Sequence, residues 1–278
     1  MSESSGSHPK NPLGQAVSYS ESYTPSLLFP IARQEKRDEL GLTSSNLPFK
    51  GADIWNAYEL SWLNSKGLPQ VGMAEFIFPD NSPNIIESKS FKLYLNSLNQ
   101  SKFDDVKDLQ AVMQHDLSKV VAEDISVSVY GVGSGRENQI QAFDAECIDH
   151  QDLTIDQYDY EPGLLKLKTS ELISENLCSH LLKSNCLITN QPDWASVLIQ
   201  YKGQKICHAS LLKYLVSFRT HNEFHEQCVE RIYCDILKYC QPQELTVYAR
   251  YTRRGGLDIN PWRSNCLTSM GNIRLVRQ

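Results

Sequence analysis

A thiol and a carboxyl group stand close together in residues 184–193 (SNCLITNQPD), where Cys186 and Asp193 flank a run of turn-forming residues. A thiolate at the mouth of a loop can be reached by a substrate, and neighbouring groups can set its pKa. A carboxyl group nearby can transfer the proton that accompanies nucleophilic attack by sulfur. The alternative is that Cys186 packs as a small apolar side chain, the common fate of a cysteine in a chain that has eight.

The composition predicts a soluble protein of two units. A chain of 278 residues exceeds the usual size of one domain, and its apolar runs fall short of the ~20 residues that span a bilayer. The polar N-terminus lacks the features of a secretory signal, so we expect a cytoplasmic protein that makes no membrane contact. The acidic, turn-rich run 143–163 is typical of an inter-domain connection. We therefore predict a flexible lead-in over residues 1–22, a first module over 23–150 and a second over 151–278.

The net charge of -6 disfavours direct nucleic-acid binding, which needs a basic surface. Residues 250–278 nevertheless contain six arginines and one acid, Asp258, and this run predicts a small anionic ligand near the C-terminus. We expect Arg253 and Arg263 to be solvated surface charges. The cysteines include no C-x-x-C pair, so neither a zinc site nor a disulfide framework is expected.

Hydrophobic periodicity predicts a mixed chain of strands and helices. Apolar residues at helical spacing favour an amphipathic helix over residues 103–119 and a long one over 211–238. Residues 23–42 contain two prolines and mixed charges, which indicates an extended arm. The run 131–136 (GVGSGR) has arginine where the dinucleotide motif G-x-G-x-x-G needs its third glycine, so we interpret it as a hairpin or bulge. Predicted strands are 74–78, 125–130 and 195–201, and 53–64 is a strand or a short helix.

The chain contains an internal repeat at an offset of 120 residues. Identical pairs at this offset are Ser90/Ser210, Tyr94/Tyr214, Leu95/Leu215 and Ser97/Ser217. A duplicated strand-turn-strand-helix unit explains them, and two such units would each supply one wall of a shared cleft, because pockets form preferentially between domains.

Four motifs in the same order resemble the NADPH-dependent nitrile reductases that convert 7-cyano-7-deazaguanine to 7-aminomethyl-7-deazaguanine, the QueF family. They are residues 87–94 (ESKSFKLY), the Cys186 to Asp193 spacing, 224–226 (FHE) and 253–261 (RRGGLDINP). The cysteine follows the ESK signature, as in the long bimodular form of the family. The resemblance implies an α+β duplicated tunnelling fold, with antiparallel sheets, helices layered on one face and two related halves, paired into a homodimer.

The resemblance also implies roles for individual residues. Cys186 would attack the nitrile carbon to form a thioimide, Asp193 would protonate the nitrile nitrogen, and His225 would protonate or orient the intermediate. Two NADPH would be consumed, in the making of the tRNA nucleoside queuosine, and no metal is expected. The implied substrate-binding residues are Ile86, Glu87, Ser88, His225 and Glu226, and the implied cofactor-binding residues are Ser88, Lys89, Arg254 and Gly255.

Two other functions remain open from the residues. A hydrolase of the GTP cyclohydrolase type would share the implied fold but needs a metal-bound water, and seven scattered histidines without paired cysteines fit that poorly. A non-catalytic tRNA-binding module is disfavoured by the acidic balance.

Overall fold

The computed structural model describes residues 22–133 and 139–278. The predicted lead-in over residues 1–22 therefore lies almost wholly outside the described residues, as does half of the glycine-rich run 131–136. Within the described ranges, none of the helices combines the length and the apolar character that crossing a bilayer requires.

The described chain alternates long strands with pairs of helices. The helices are α1 (Gln34–Glu39), α2 (Ser88–Ser97), α3 (Val106–Val121), α4 (His208–Val216) and α5 (His225–Cys240). The strands are β1 (Pro30–Ala32), β2 (Lys50–Leu63), β3 (Pro69–Pro79), β4 (Asn84–Ile86), β5 (Ser126–Gly131), β6 (Ile140–Gln141), β7 (Glu146–Cys147), β8 (Leu167–Asn185), β9 (Pro192–Ile206), β10 (Glu244–Tyr251), β11 (Leu257–Ser264) and β12 (Arg274–Leu275).

One continuous sheet of eight strands runs through both halves of the chain, in the order β5-β3-β2-β11-β10-β9-β8-β7. Its neighbouring strands are antiparallel except at the edge, where the short β7 lies parallel to β8. The two halves meet in the middle, where β2 pairs with β11 from Ala57↔Leu257 to Lys50↔Ser264. The predicted α+β class is confirmed, and residues 53–64 lie almost entirely in a strand.

The helices pack on one face of this sheet. Along β2, the side chains of Trp55 and Ala57 join the apolar cluster under α2 and α3, whereas Ala52 and Ile54 belong to a cluster on the opposite face. This alternation is the two-residue period of a strand. A second helix-covered cluster lies under α4 and α5, so each half of the sheet carries its own pair of helices.

Equivalent hydrogen bonds occur in both halves. Tyr94 donates its hydroxyl to Asp116 at 2.7 Å, and Tyr214 donates its hydroxyl to Asp235 at 2.5 Å. The serine three residues after each tyrosine donates to that tyrosine's carbonyl oxygen, at 2.6 and 2.7 Å. The repeated serines and tyrosines thus make the same local contacts twice, in α2 and α3 and again in α4 and α5.

Two predictions of local structure are wrong. The stretch 211–238 is not one helix, because α4 ends at Val216 and α5 begins at His225, with the 3-10 turn Ser217–Thr220 after α4. The break lets the segment between the two helices pair with β8. Asn185, at the end of β8, donates its amide N–H to the His221 carbonyl at 2.8 Å. Residues 23–42 are not an extended arm, since they form β1 and α1.

A buried ion network joins the two halves and corrects the prediction for Arg263, which is fully buried. Its guanidinium lies 2.8 Å from Asp53 and 2.8 Å from Glu230. Arg37 of α1 binds Glu230 at 2.7 Å, and Arg33 binds Asp53 at 2.5 Å. Burial raises the pKa of Glu230, but the three arginines outweigh burial and hold that pKa at about 2. The two carboxylates therefore offset two of the three guanidinium charges of this network.

Replacement of Glu230 by alanine is expected to lower the free energy of unfolding by about 3–5 kcal/mol, because three buried guanidinium groups lose a shared partner. The matched control is Glu244→Ala, which removes an exposed pair with Lys202 (3.4 Å) and should cost about 0–1 kcal/mol. Chemical unfolding of both variants measures the difference. Because the Glu230 pKa falls from 4.5 to about 2 on folding, its contribution is present above pH 4.5 and is lost as the pH falls through about 2. Equal losses in the two variants would contradict this role of the network.

Candidate functional site

Cys186 sits in a tight turn between two long strands. Its amide N–H donates to the Gln191 carbonyl at 2.8 Å, and the Asn190 amide N–H donates to the Cys186 carbonyl at 3.0 Å. Asn190 closes the turn in the left-handed region, at φ 55°, where asparagine is one of the few side chains commonly tolerated. The turn holds Cys186 half-buried beyond the end of β8, where it can meet a ligand.

Asp193 is the second residue of β9 and is buried, with 3% of its surface exposed. Its Oδ1 pairs with the guanidinium of Arg254, and its Oδ2 lies 3.5 Å from Nε2 of His225. Burial by itself raises the pKa of Asp193, but His225 and Arg254 together outweigh it and hold the pKa below the ordinary value. Asp193 is therefore ionised at neutral pH, with its carboxylate stabilised by two cationic partners.

His225 and Glu226 are the first two residues of α5. The His225 ring packs against Tyr251 with centroids 4.0 Å apart, which fixes its orientation toward Asp193. Glu226 is buried, and burial followed by the charge of Asp53 raises its pKa to about 7, against opposing effects of His225 and Arg33. Glu226 therefore titrates near neutral pH, unlike an ordinary surface glutamate.

Glu87 caps the N-terminus of α2. Its carboxylate accepts from the amide N–H groups of Lys89 at 2.9 Å and Ser90 at 2.7 Å, which satisfies two otherwise unpaired donors of the helix. Ile86 is buried at the end of β4, immediately before the cap, and Ser88 opens the helix. The signature run is thus a strand end, a cap and a first helical turn.

The implied cofactor residues Lys89 and Gly255 line one pocket of about 190 Å³, beside the turn after β10. Gly255 and Gly256 both have positive φ, 57° and 75°, a conformation that favours glycine. A Cβ on Gly255 would approach the Lys92 side chain to 3.2 Å. The two glycines therefore let the turn close onto the face of α2 that carries Lys89 and Lys92.

Lys92 is a site residue to which the motif analysis gave no role. Burial, then the charge of Arg254, lowers its pKa, whereas Glu87, Asp193 and Cys186 raise it. The Lys92 side chain lies against Gly255, and its charge interacts with both the cap of α2 and the Cys186 turn. The available signal was its position three residues after Lys89, which places both lysines on one side of a helix.

Several arginines near the C-terminus, Arg254 among them, already have partners within the protein. Fewer of them are therefore available to bind an anionic ligand than the sequence suggested. Arg254 contacts both Asp193 and the side-chain oxygen of Gln191, so it is held against the C-terminal end of the cysteine turn. Arg250 is buried and donates to Tyr248 and Gln278, and Arg277 donates to backbone carbonyls of β8 and β9. Arg253 is exposed, as predicted.

Most of the site therefore comes together as the motifs imply. Cys186, Asp193, His225 and Arg254 converge from the ends of β8, β9 and β10 and the start of α5, and α2 adds its first turn from the other half of the chain.

Two family models match this chain. Residues 19–129 match a model described as nitrile reductase, 7-cyano-7-deazaguanine-reductase N-term, and residues 192–269 match a model described as QueF-like protein. A solved apo structure of an archaeosine synthase described as QueF-Like aligns with 37% of this chain and all of its own, at 16% identity and a TM-score of 0.31, which is too low to bear on the fold.

Curated relatives match nearly the whole chain. The three described next share one name, NADPH-dependent 7-cyano-7-deazaguanine reductase. The protein from Dechloromonas aromatica is 56% identical over 96% of this chain and 95% of its own length. The protein from Chromobacterium violaceum is 55% identical over 96% of both chains. The protein from Hydrogenovibrio crunogenus is 52% identical over 100% of both chains. The predictions of a reductase and of NADPH dependence are thereby confirmed, and the chain belongs to the family of NADPH-dependent 7-cyano-7-deazaguanine reductases.

Proposed function

We propose that this protein reduces 7-cyano-7-deazaguanine to 7-aminomethyl-7-deazaguanine with two NADPH, through a thioimide on Cys186, as a step in queuosine biosynthesis. The observation that carries the proposal is the buried carboxylate of Asp193, held by Arg254 and His225 at the end of the turn that presents Cys186. The names of relatives at 52–56% identity support the same substrate.

In the first step, the sulfur of Cys186 adds to the nitrile carbon and a proton adds to the nitrile nitrogen. One π bond of the nitrile and the S–H bond are thereby replaced by a C–S bond and an N–H bond. A nitrile is a poor hydride acceptor, so its conversion into a thioimide creates a better electrophile that is covalently held. The low pKa of Asp193 refines the role that the motifs imply for it. As a carboxylate, Asp193 first accepts the proton of the Cys186 thiol, and it then delivers that proton to the nitrile nitrogen.

NADPH would supply two hydrides to the former nitrile carbon, one at the thioimide and one at the imine that remains after the thiol leaves, and each reduction also takes up one proton. Lys89 and Lys92 offer cationic groups to its phosphates beside the pocket, and Gly255 leaves the backbone open there. We propose Ser88, Lys89, Arg254 and Gly255 as the cofactor-binding set. His225, fixed against Tyr251 and 3.5 Å from Asp193, orients the carboxylate and shares its proton.

Glu226 is proposed to recognise the base. The pyrimidine ring of the substrate presents a ring N–H and an amino group side by side, and an ionised carboxylate accepts from both donors. Ile86, Glu87 and Ser88 would line the other side of the base. Because Glu226 has a pKa of about 7, binding should favour the form that exists above neutral pH.

Substrate affinity is therefore expected to rise about tenfold between pH 6 and pH 8, as Glu226 loses its proton. The measurement is calorimetric titration of 7-cyano-7-deazaguanine into Cys186→Ala, which cannot form the covalent bond. Glu226→Gln in the same background should bind about 10–100-fold more weakly, because it loses a charge-assisted contact, and its affinity should not depend on pH. If the pH dependence persisted in Glu226→Gln, ionisation of Glu226 would not control binding and this role would be wrong.

Replacement of Arg254 by alanine is expected to raise KM for NADPH by about 10–100-fold, since a charge-assisted contact to a phosphate is worth ~1.5–3 kcal/mol. KM for the nitrile should change less, because Glu226, and not Arg254, is proposed to bind the base. Steady-state kinetics on both substrates test the difference, and Arg253→Ala is the control, as its exposed guanidinium packs over Tyr58. Equal increases in the two KM values would show that Arg254 has a structural role only.

We propose that the two halves, 23–150 and 151–278, are copies of one tunnelling-fold unit, and the duplicated Tyr–Asp and Ser–Tyr hydrogen bonds support this. A homodimer and a cytoplasmic location remain predictions, and sedimentation of the purified protein tests the first.

The proposed activity is tested by incubating the protein with 7-cyano-7-deazaguanine and NADPH. We expect two NADPH oxidised for each 7-aminomethyl product. A ratio of one, or consumption of the nitrile without oxidation of NADPH, would contradict the reduction. A hydrolase of the GTP cyclohydrolase type would act on GTP without NADPH, and tRNA binding in a filter assay would indicate the non-catalytic tRNA-binding module.

A further inference from the structure

Cys147, Cys178 and His180 form a cluster at the edge of the sheet that the proposed reaction does not use. One side-chain ligand atom from each residue lies within 4.8 Å of the other two. Cys147 of β7 lies opposite Cys178 of β8 in the parallel pair, and His180 follows Cys178 by two residues, on the same side of a strand. The sheet register thus brings together three groups that are distant in sequence.

This cluster is separate from the catalytic centre. Cys178 packs with Leu198 in the cluster on the face of the sheet away from the helices. Asp193 has the opposite alternation along β9, where Ala195 belongs to the helix-covered core. The two sites therefore lie on different faces of the same sheet.

We propose that Cys147, Cys178 and His180 bind a thiophilic divalent cation of the zinc class, with a water molecule as fourth ligand. Two cysteines and one histidine are a ligand set that Zn²⁺ prefers, and ligand atoms around a tetrahedral ion are separated by ~3.3–3.8 Å, so only small side-chain movements are needed. Binding replaces two S–H bonds by two S–metal bonds and releases two protons to solvent, with no change of oxidation state.

The surroundings of the cluster hold it in place and favour a cation. His180 is fixed through Nδ1, which lies 2.8 Å from the hydroxyl of Ser196, and its amide N–H donates to Asp149 at 2.8 Å. Such contacts to a metal-binding histidine set its ring orientation. The Asp149 carboxylate also adds negative charge near the cluster, since it accepts from the hydroxyl of Ser179, the residue after Cys178, at 2.6 Å. A bound divalent cation would be attracted to that carboxylate and to the two thiolates that form on binding.

The cluster is also open to an incoming ion. His180 is exposed and Cys147 is half-buried, so two of the three ligands can be reached from solvent. A bound ion would tie β7, which has only two residues, to β8. That edge is already held by the Ile148 amide N–H to the Cys178 carbonyl at 2.9 Å and by Asp149, which accepts from Ser179 and His180. The ion would thus anchor the connection between the two halves of the chain.

The test uses the reduced, chelator-treated full chain titrated with Co²⁺, a coloured substitute for Zn²⁺. We expect one equivalent to bind with thiolate-to-cobalt charge-transfer absorption, and Zn²⁺ to displace it. The absorption should be lost in Cys147→Ser and His180→Asn. It should be retained in Cys186→Ala, which removes the catalytic thiol, and in Cys266→Ser, which removes an exposed cysteine. Zn²⁺ should also raise the melting temperature of the wild type and not that of Cys147→Ser.

Three results would overturn the proposal. They are absence of cobalt absorption in the wild type, equal absorption in Cys147→Ser, and loss of absorption in Cys186→Ala, which would assign the metal to the catalytic centre. If the reduced protein bound no cation but Cys147 and Cys178 became joined on exposure to air, the cluster would be a redox pair and the proposal would also be wrong. Because Cys147 and His180 are not core residues, their variants should fold, and circular dichroism checks that they do.

Discussion

Turnover of 7-cyano-7-deazaguanine is expected to fall below detection when Cys186 is replaced by alanine, because the sulfur that attacks the nitrile carbon is then absent. Cys186→Ser should fail as well, since a hydroxyl is far less acidic than a thiol, and the weak base Asp193, with its lowered pKa, cannot activate it at neutral pH. Both effects are measured as NADPH oxidation in the presence of the nitrile. The loss should be in chemistry alone, with folding and base recognition by Glu226 intact.

The matched control is Cys207→Ala. Cys207 is half-buried like Cys186, but it lies beyond the opposite end of β9 from Asp193, at the N-cap of α4. The activity of Cys207→Ala should stay within about threefold of wild type, as expected for a cysteine that only packs against its neighbours. Turnover by Cys186→Ala within tenfold of wild type would exclude covalent catalysis by this thiol.

Replacement of Asp193 by asparagine is expected to slow thioimide formation by about 10²–10⁴-fold, the usual effect of removing a group that transfers a proton. Asparagine keeps the size of the side chain and can still accept a hydrogen bond from Arg254, but it cannot carry the thiol proton to the nitrile nitrogen. Substrate binding should remain near normal, because Glu226 is unchanged. The rate of adduct formation is followed by rapid quenching and intact mass.

The melting temperature of Asp193→Asn distinguishes proton transfer from a structural role. Asp193 pairs in register with Ser184 at the start of β9, so asparagine should fit the strand, and we expect the melting temperature to fall by only a few degrees. A normal rate of adduct formation would exclude Asp193 as the proton carrier. A large fall in both rate and melting temperature would show that the ion pair with Arg254 mainly holds the turn together, and the proposed role would then be wrong.

Local patterns predicted much of the fold, because strands and helix starts depend on neighbouring residues. The alternation in residues 74–78 and 195–201 identifies parts of β3 and β9, and the matching serines and tyrosines of the repeat make matching hydrogen bonds. The break between α4 and α5 was not visible, because it depends on pairing between residues 221–223 and Asn185 at the distant end of β8.

Charge was the least predictable property. A lone arginine such as Arg263 is usually solvated, and its burial depends on Asp53, which lies 210 residues away in sequence and beside it in the sheet. The same holds for the ionisation of Asp193. Its motif spacing indicates a proton carrier, but only the contacts with Arg254 and His225 show that the resting form is the carboxylate.

The motifs led to the candidate site residues that they contain, whereas Lys92 and the cluster of Cys147, Cys178 and His180 emerge only from the geometry. Lys92 lies within the signature, yet its position between Glu87, Asp193 and Cys186 follows from the packing of α2 against the turn after β10. Cys147 and Cys178 lack metal-site spacing, and they become neighbours only through the register of β7 and β8.

The most direct test of covalent catalysis is intact mass spectrometry of the wild-type protein incubated with 7-cyano-7-deazaguanine in the absence of NADPH. The thioimide then cannot be reduced, and we predict one adduct per chain with the full mass of the nitrile, because addition of the thiol releases nothing. Peptide mapping should assign the adduct to Cys186. An unmodified protein that nevertheless turns over when NADPH is added, or an adduct of equal yield in Cys186→Ala, would contradict the account.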